Sequence, residues 1–545
     1  MASRGLGQLF ARKSVEQMHA EHQGGELKKS LGALNLVLLG IGCIIGTGIF
    51  VLTGQAAAEF AGPGIMISFV ITGVLCALVA LCYSELAAAI PVSGSAYSYS
   101  YASMGEFVAW IMGVLLLLEY GVAASTVAVG WSGYVSSLLH DLGLTIPAAL
   151  TAAPGVEVKD FVTGETVMGI VNLPALLGIV AVTALLTLGV SESATVNNIV
   201  VAIKVTVVIA FIAIGFFYVK PELGSPVIPP QVPPPPEGSD MSLGGQIWAA
   251  HGNVGTGHSR DSAYGIGGLI AAASTIFFAY IGFEAVSTAG AEAKNPARDM
   301  PIGILGSLVI CTILYILTCA VLVGIVPYTE LNTPAPIATA VNAMGLPWFA
   351  FLVKLGAFAG LSSVMLVLLY GQTRIFYTMS RDGLLPSVFS KVNPKTRTPW
   401  FNTILVGIVA AGFAGFTGLD FLGATTNVGT LVAFMLICIT VIYLRIARPN
   451  LNRPFKMPTW LIMIIAVLGA GMCLILVMSL MSEERTRNFF IPYLIVGVLV
   501  YFAYGMWNSK LAKGITVTGH EPAPDLGNGG GAHVFALTLC RQSPS

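Results

Sequence analysis

The chain has 545 residues, 55% apolar and only 10% charged, with 26 basic and 26 acidic side chains in balance. Soluble domains carry about 25% charged residues, so this composition argues against a string of soluble domains and for a bilayer, where a charge at mid-depth costs about 2.5–3.5 kcal/mol on insertion scales. Zero net charge also removes the bulk attraction that would draw the chain to nucleic acid.

Residues 1–30 are polar, lack the apolar core of a signal peptide and read as a cytoplasmic segment, so the first span has to act as its own insertion signal. A hydrocarbon core about 30 Å thick takes roughly 20 apolar helical residues. Runs of that kind are predicted at 31–58, 62–90, 107–138, 170–190, 196–219 and 264–291, then at 302–326, 347–380, 401–419, 421–445, 459–481 and 489–508. They are continuous and do not alternate, which favours helices over barrel strands, since a helix satisfies its own backbone in lipid. The expected fold is an all-α polytopic membrane protein with 12 transmembrane helices. Pro229–Pro230 and Pro233–Pro236 mark 220–262 as an irregular, extracytoplasmic loop, and the Gly/Pro-rich stretch 514–545 reads as a disordered cytoplasmic tail.

Charge gives direction. Nineteen lysines and arginines fall in the N-terminal segment, the loops after spans six, eight and ten, and the C-terminus. Five fall on the other side (Lys159, Lys220, Arg260, Arg485, Arg487), and Lys204 and Lys354 lie within spans. The positive-inside rule then puts both termini in the cytoplasm of a plasma (inner) membrane. Seven of the eight cysteines lie in apolar runs, with Cys540 in the tail, and all seven histidines lie outside the spans. No Cys/His cluster has zinc spacing, so no metal or cofactor is expected.

Gly40, Gly42, Gly46 and Gly48 crowd nine residues of the first span. Glycine costs about 1 kcal/mol relative to alanine in a helix interior. A close packing face would explain a sparse pattern of small residues, but glycines this dense, with Thr47 at the same depth, point to an unwound centre. The sixth span offers a counterpart from Ser274 to Glu284. Interruptions at matching positions in two five-span halves are the signature of an inverted-repeat carrier with a midplane site. The half-helix N-termini would offer N–H donors to a carboxylate, and the freed carbonyls would accept from an ammonium. A zwitterionic amino acid supplies both charges.

The run from Gly42 to Phe50 resembles the first-helix signature of the amino acid–polyamine–organocation superfamily, and the chain is similar to bacterial members of its cationic amino acid transporter family. Further matches are Tyr83-Ser-Glu85-Leu, Pro91-Val-Ser-Gly94-Ser-Ala-Tyr97, Phe278-Ala-Tyr-Ile-Gly-Phe-Glu284 and Glu292-Ala-Lys-Asn-Pro296. Tyr370-Gly-Gln-Thr-Arg374 and Ser380-Arg-Asp-Gly383-Leu-Leu-Pro386 add two more, so the resemblance covers roughly 28–510. It implies a leucine-transporter-like fold, with a first inverted repeat at 31–219, a second at 264–445 and two extra helices at 459–508. It also implies that backbone around Gly46, Thr47 and Gly48 holds the substrate carboxylate, through the Thr47 and Gly48 N–H groups, and that carbonyls near Ile44, Phe278, Ala279 and Ile281 hold the amine. Leu361 resembles the position that lines the side-chain pocket, where a leucine favours smaller or neutral amino acids.

Lys204 lies about eight residues inside the fifth span. Snorkelling to the headgroups is the bland reading. An intramembrane lysine is a functional candidate by default, because a buried ammonium can release its proton. The resemblance implies that it stands where sodium-coupled relatives keep a sodium ion, which makes the proton the expected coupling ion. Glu119 is the other deep charge and has three readings: balancing Lys204, meeting a cationic substrate, or accepting a structural hydrogen bond. Glu284 follows the sixth-span break and reads equally as a coupling or a packing residue. Glu85, Glu292 and Arg298 lie near cytoplasmic helix ends, where inner-gate ion pairs would be useful, and Lys354 near the outer face reads as snorkelling.

A membrane enzyme would need catalytic groups clustered at membrane depth, and no span contains histidine or paired aspartates. A channel would need a polar pore-lining face, which the spans do not supply. Within the transporter class, obligatory amino acid exchange without proton coupling is the alternative to symport. The sequence says nothing of oligomeric state or of an accompanying small membrane subunit.

Overall fold

The computed structural model describes residues 6–14, 31–91, 95–160, 163–189, 194–231, 264–396 and 398–515. The second proline cluster of the 220–262 loop, the tail beyond 515 and most of the 1–30 segment lie outside them, as does Val92–Gly94 of one quoted motif.

Helices dominate. The first half contains α1 (Ala33–Ile44), α2 over 48–61, α3 (Ile65–Ala89), α4 (Ser95–Ser103), α5 (Glu106–Asp141), α6 (Leu173–Thr187) and α7 (Ala194–Gly215). The second half contains α8 (Gly265–Ile276), α9 (Pro296–Ile325), α10 (Pro336–Ala343), α11 (Pro347–Arg381), α12 (Trp400–Phe416), α13 (Leu419–Ala447), α14 (Thr459–Met481) and α15 (Glu484–Asn508). Proline opens α9, α10 and α11, where its fixed φ and missing N–H cost nothing. The Asn172 side chain caps α6 by accepting from the Ala175 N–H at 3.1 Å.

Among the described residues nine helices are long and apolar enough to cross a membrane. That count takes Gly48–Ala89 as one run, although the chain reverses at Gly62 (φ 58°) between α2 and α3. α1, α6 and α12 are apolar but shorter. One element was not foreseen: a two-stranded antiparallel hairpin, β1 (Glu157–Lys159) with β2 (Thr166–Met168), between α5 and α6.

α9 packs along α3 and α1, α11 along α5 and α7, and α13 along α14. Aromatic clusters pin the centre. Phe69, Tyr280 and Tyr315 lie with ring centroids 5.5–6.0 Å apart, and Phe434 meets Tyr83, Phe277 and Phe283 at 5.2–5.6 Å. Large apolar side chains such as Val70, Ile408, Val467 and Leu499 point outward, an arrangement that needs lipid as solvent. Lys354 is a correction to the reading above. It is buried, and its Nζ donates to Asp141 Oδ2 at 2.5 Å, so it is held by an ion pair and does not snorkel.

Candidate binding site

Two interruptions meet at the centre. α1 stops at Ile44, Ile45 turns extended (φ −73°, ψ 99°), and α2 restarts with a wide π turn at Gly48–Leu52. Beyond α8 the chain tightens into a 3-10 turn at Phe277–Tyr280, turns extended at Ile281 (ψ 130°), and continues as a 3-10 helix over Glu284–Glu292. Glycine makes the contact possible. A Cβ on Gly48 would collide with the Cα and Cβ of Ala279, and one on Gly282 (φ 121°) would fall 2.8 Å from the Cys43 carbonyl carbon. The two broken backbones therefore touch directly.

Between them lies a cavity of about 30 Å³, with Thr47, Gly48, Phe278, Ile281, Glu284 and Val364 among its walls. That space suits about two waters and is too small for an amino acid, so the two broken segments would have to move apart to admit one. Ile44 and Gly46 also line it, whereas Ala279 and Leu361 do not; the α11 residues that reach it are Val364, Val367 and Leu368. Leu361 is fully buried one turn earlier on the same helix. Thr47 Oγ1 is buried with no hydrogen-bond partner. By helix geometry the first N–H groups of α2 lack intrahelical acceptors, so this corner presents several donors at once.

Lys204 is fully buried, and its Nζ donates to the carbonyls of Gly42 and, at 3.0 Å, Ile45. It thus caps the broken end of α1. Tyr315 of α9, which nothing in the sequence pattern singled out, bridges the two interruptions. Its hydroxyl lies 2.8 Å from the Ile44 carbonyl and 2.9 Å from that of Ala279, with one proton to give to either. Tyr315→Phe removes that proton and leaves two buried carbonyls short of a donor, at about 1–3 kcal/mol. A lower melting temperature in detergent and weakened substrate binding are expected; unchanged values for both would deny the bridge a role.

Glu119 does not balance Lys204. It lies in a further π turn, Leu117–Val122, fully buried, with its carboxyl facing that of Glu284. Glu284 accepts from the Gly282 N–H at 2.9 Å, tying its carboxyl to the break. Glu85 is buried against Arg445 and Arg453, while Arg298 is exposed and the Glu292 side chain lies outside what is described.

Residues 31–501 match the amino acid permease family over most of the chain. The chain belongs to that family. This permease is 42% identical over 508 residues to the methylthioribose transporter of Bacillus subtilis (strain 168), covering 93% of this chain and 100% of the relative. It is 43% identical to the branched-chain amino acid permease BcaP of the same organism, over 93% of this chain and 99% of that one. It is 36% identical to cationic amino acid transporter 4, vacuolar, of Arabidopsis thaliana, over 82% of this chain and 68% of the relative. The permease is a multi-pass membrane protein that carries amino acid-type cargo across a membrane, and its relatives are transporters, not enzymes.

Proposed function

We propose that this permease is a secondary active carrier that imports neutral aliphatic amino acids across the plasma membrane by alternating access, coupled to protons through Lys204. The observation that carries this reading is the Lys204 ammonium on the Gly42 and Ile45 carbonyls. A titratable cation there neutralises the negative dipole end of α1. Losing its proton weakens that hold and frees α1 to tilt. The Thr47 and Gly48 N–H groups, with the unpartnered Thr47 hydroxyl, take the carboxylate. Carbonyls at Ile44, Phe278, Ala279 and Ile281 take the ammonium, which has to share Ile44 and Ala279 with Tyr315. Val127, Val364, Val367 and Leu368 give the pocket an aliphatic wall.

In this reading α1 with α2, and α8 with the 3-10 segment after it, are the broken first members of two inverted five-span repeats at 31–219 and 264–445. α14 and α15 are appended, the short α6 and α12 complete twelve spans, and both termini face the cytoplasm.

The test is uptake of radiolabelled leucine into proteoliposomes, with and without an inward proton gradient. Stimulation by the gradient, with competition by leucine and alanine well above arginine, is expected. Uptake that requires internal amino acid and ignores the gradient would identify an exchanger instead. A second reading comes from the 42% identity to a methylthioribose transporter. A sugar offers hydroxyls in place of a zwitterion, and the Thr47 hydroxyl and Glu284 carboxyl could pair with them. Uptake of radiolabelled methylthioribose measured beside that of leucine separates the two, because only leucine accumulates in the first reading and only methylthioribose in the second.

Glu119 and Glu284 extend the proposal. Two facing carboxyl groups in a low-dielectric site titrate as a coupled pair. Glu284→Gln fixes one of them neutral, and the pH dependence of uptake is expected to shift without a large change in maximal rate. An unaltered pH profile would leave Glu284 a packing residue.

A further inference from the structure

The segment 6–14 crosses the ends of several helices and shares no lining residue with the binding cavity. Gln8 Nε2 donates to the Met506 carbonyl at 2.6 Å, the Glu106 N–H donates to the Ala11 carbonyl at 2.9 Å, and Lys13 Nζ pairs with Asp382 Oδ1 at 2.6 Å. Between this strap, the end of α3 and the loop after α13 lies a cleft of about 460 Å³. Its polar lining is Arg12, Lys13, Ser14, Arg448 and Asn452, and small apolar side chains including Ala88 and Pro91 form the rest.

Charge around the cleft is one-sided. Asp382 neutralises Lys13. Arg12 lies over the Tyr443 ring and donates to its hydroxyl, and neither Arg12 nor Arg448 has an acidic partner among the described residues. Directly behind, Glu85 is held by Arg445 at 2.5 Å and Arg453 at 3.3 Å, with all three side chains more than nine-tenths buried. Two guanidinium groups on one carboxylate leave one positive charge in excess, with their remaining donors on Thr459 and on backbone carbonyls such as those of Met457 and Leu444. That excess adds to the charge of Arg12 and Arg448, which line the cleft, and favours an anion in it.

The surroundings select the kind of anion. Ile446, two residues before Arg448, is 71% exposed, and Trp460 at the start of α14 is 67% exposed. They lie at the end of apolar helices where a tryptophan belongs at headgroup level. A soluble anion would have no use for that apolar face, whereas an acyl chain would. We propose that the cleft binds the phosphate of an anionic membrane lipid, with Arg12 and Arg448 as its donors and the Ile446–Trp460 face carrying its chain. Basic pockets between helix ends are the sites where such headgroups bind.

The experiment places the full chain in nanodiscs of equal phosphatidylglycerol and phosphatidylcholine and counts retained lipids by native mass spectrometry. The unaltered protein is expected to retain phosphatidylglycerol preferentially. Each arginine near an anionic headgroup is worth roughly fivefold in affinity, so Arg12→Gln with Arg448→Gln should lower the preference by roughly 25-fold. Arg12→Lys with Arg448→Lys keeps the charges and should keep most of it. Preference undiminished in the glutamine variant overturns the proposal. Equal loss in the lysine variant also overturns it, by assigning the effect to the packing of the strap. Displacement of phosphatidylglycerol by millimolar inorganic phosphate would identify a soluble ligand and refute the lipid.

Discussion

Lys204→Ala is expected to abolish stimulation of uptake by an inward proton gradient while leaving some counterflow exchange. In the unaltered protein Lys204 Nζ holds the Gly42 and Ile45 carbonyls, and in the proposed mechanism the position of α1 depends on its proton. Alanine cannot carry a proton, so the pH response left in the variant should be only that of the Glu119–Glu284 pair. The sign follows from the contact. Protonation favours α1 held against α7, and deprotonation favours its release, so a variant locked neutral loses the step that the gradient drives. A structural cost accompanies this, because each carbonyl left without its donor costs about 1–3 kcal/mol. Gly360 also approaches the lysine stem, where a Cβ would lie 3.3 Å from Lys204 Cδ, so truncation opens a void beside α11. Counterflow separates the two effects: a merely unstable variant loses exchange and gradient response together. Full gradient-driven uptake in Lys204→Ala would end the coupling proposal.

Glu85→Ala is expected to be the most destabilising single change. It leaves Arg445 and Arg453 buried and facing one another without their carboxylate. Removing one partner from a buried ion pair costs about 3–5 kcal/mol, more than the pair contributes over an apolar replacement. Arg453 cannot easily swing into solvent, because its guanidinium also donates to the carbonyls of Leu444 and Arg448 at 2.9 and 3.0 Å. Thermal unfolding in detergent should show a large drop in melting temperature, with a smaller one for Glu85→Gln, which retains an acceptor. An unchanged melting temperature would mean that water or lipid already serves the two arginines.

The positions of these residues separate what the chain encodes locally from what folding adds. The apolar runs, the glycine-weakened first helix and the depth of Lys204 were legible, because membrane insertion and helix breaking depend on composition within about 20 residues. The family resemblance rests on motifs of the same short range. Partners were not legible. Glu119 faces Glu284, Lys354 meets Asp141, and Arg445 reaches Glu85 across 360 positions, and no periodicity carries that information.

The wall of the cavity gives the clearest case. Leu361, Val364 and Leu368 share one stripe of α11 at helical spacing, and in this structure the cavity wall is made by Val364, Val367 and Leu368, starting one turn on from Leu361. Which turn meets the two breaks depends on how far α11 is shifted along its axis against α5 and α7. Likewise Tyr315 is one apolar-looking residue of α9 until the packing of α9 on α1 brings its hydroxyl to both broken ends. The sequence by itself determined where the backbone breaks and that a charge lies near the break. Tertiary structure alone decided what each broken end touches, because axial shift and facing contact are set by side-chain packing between helices distant in the chain.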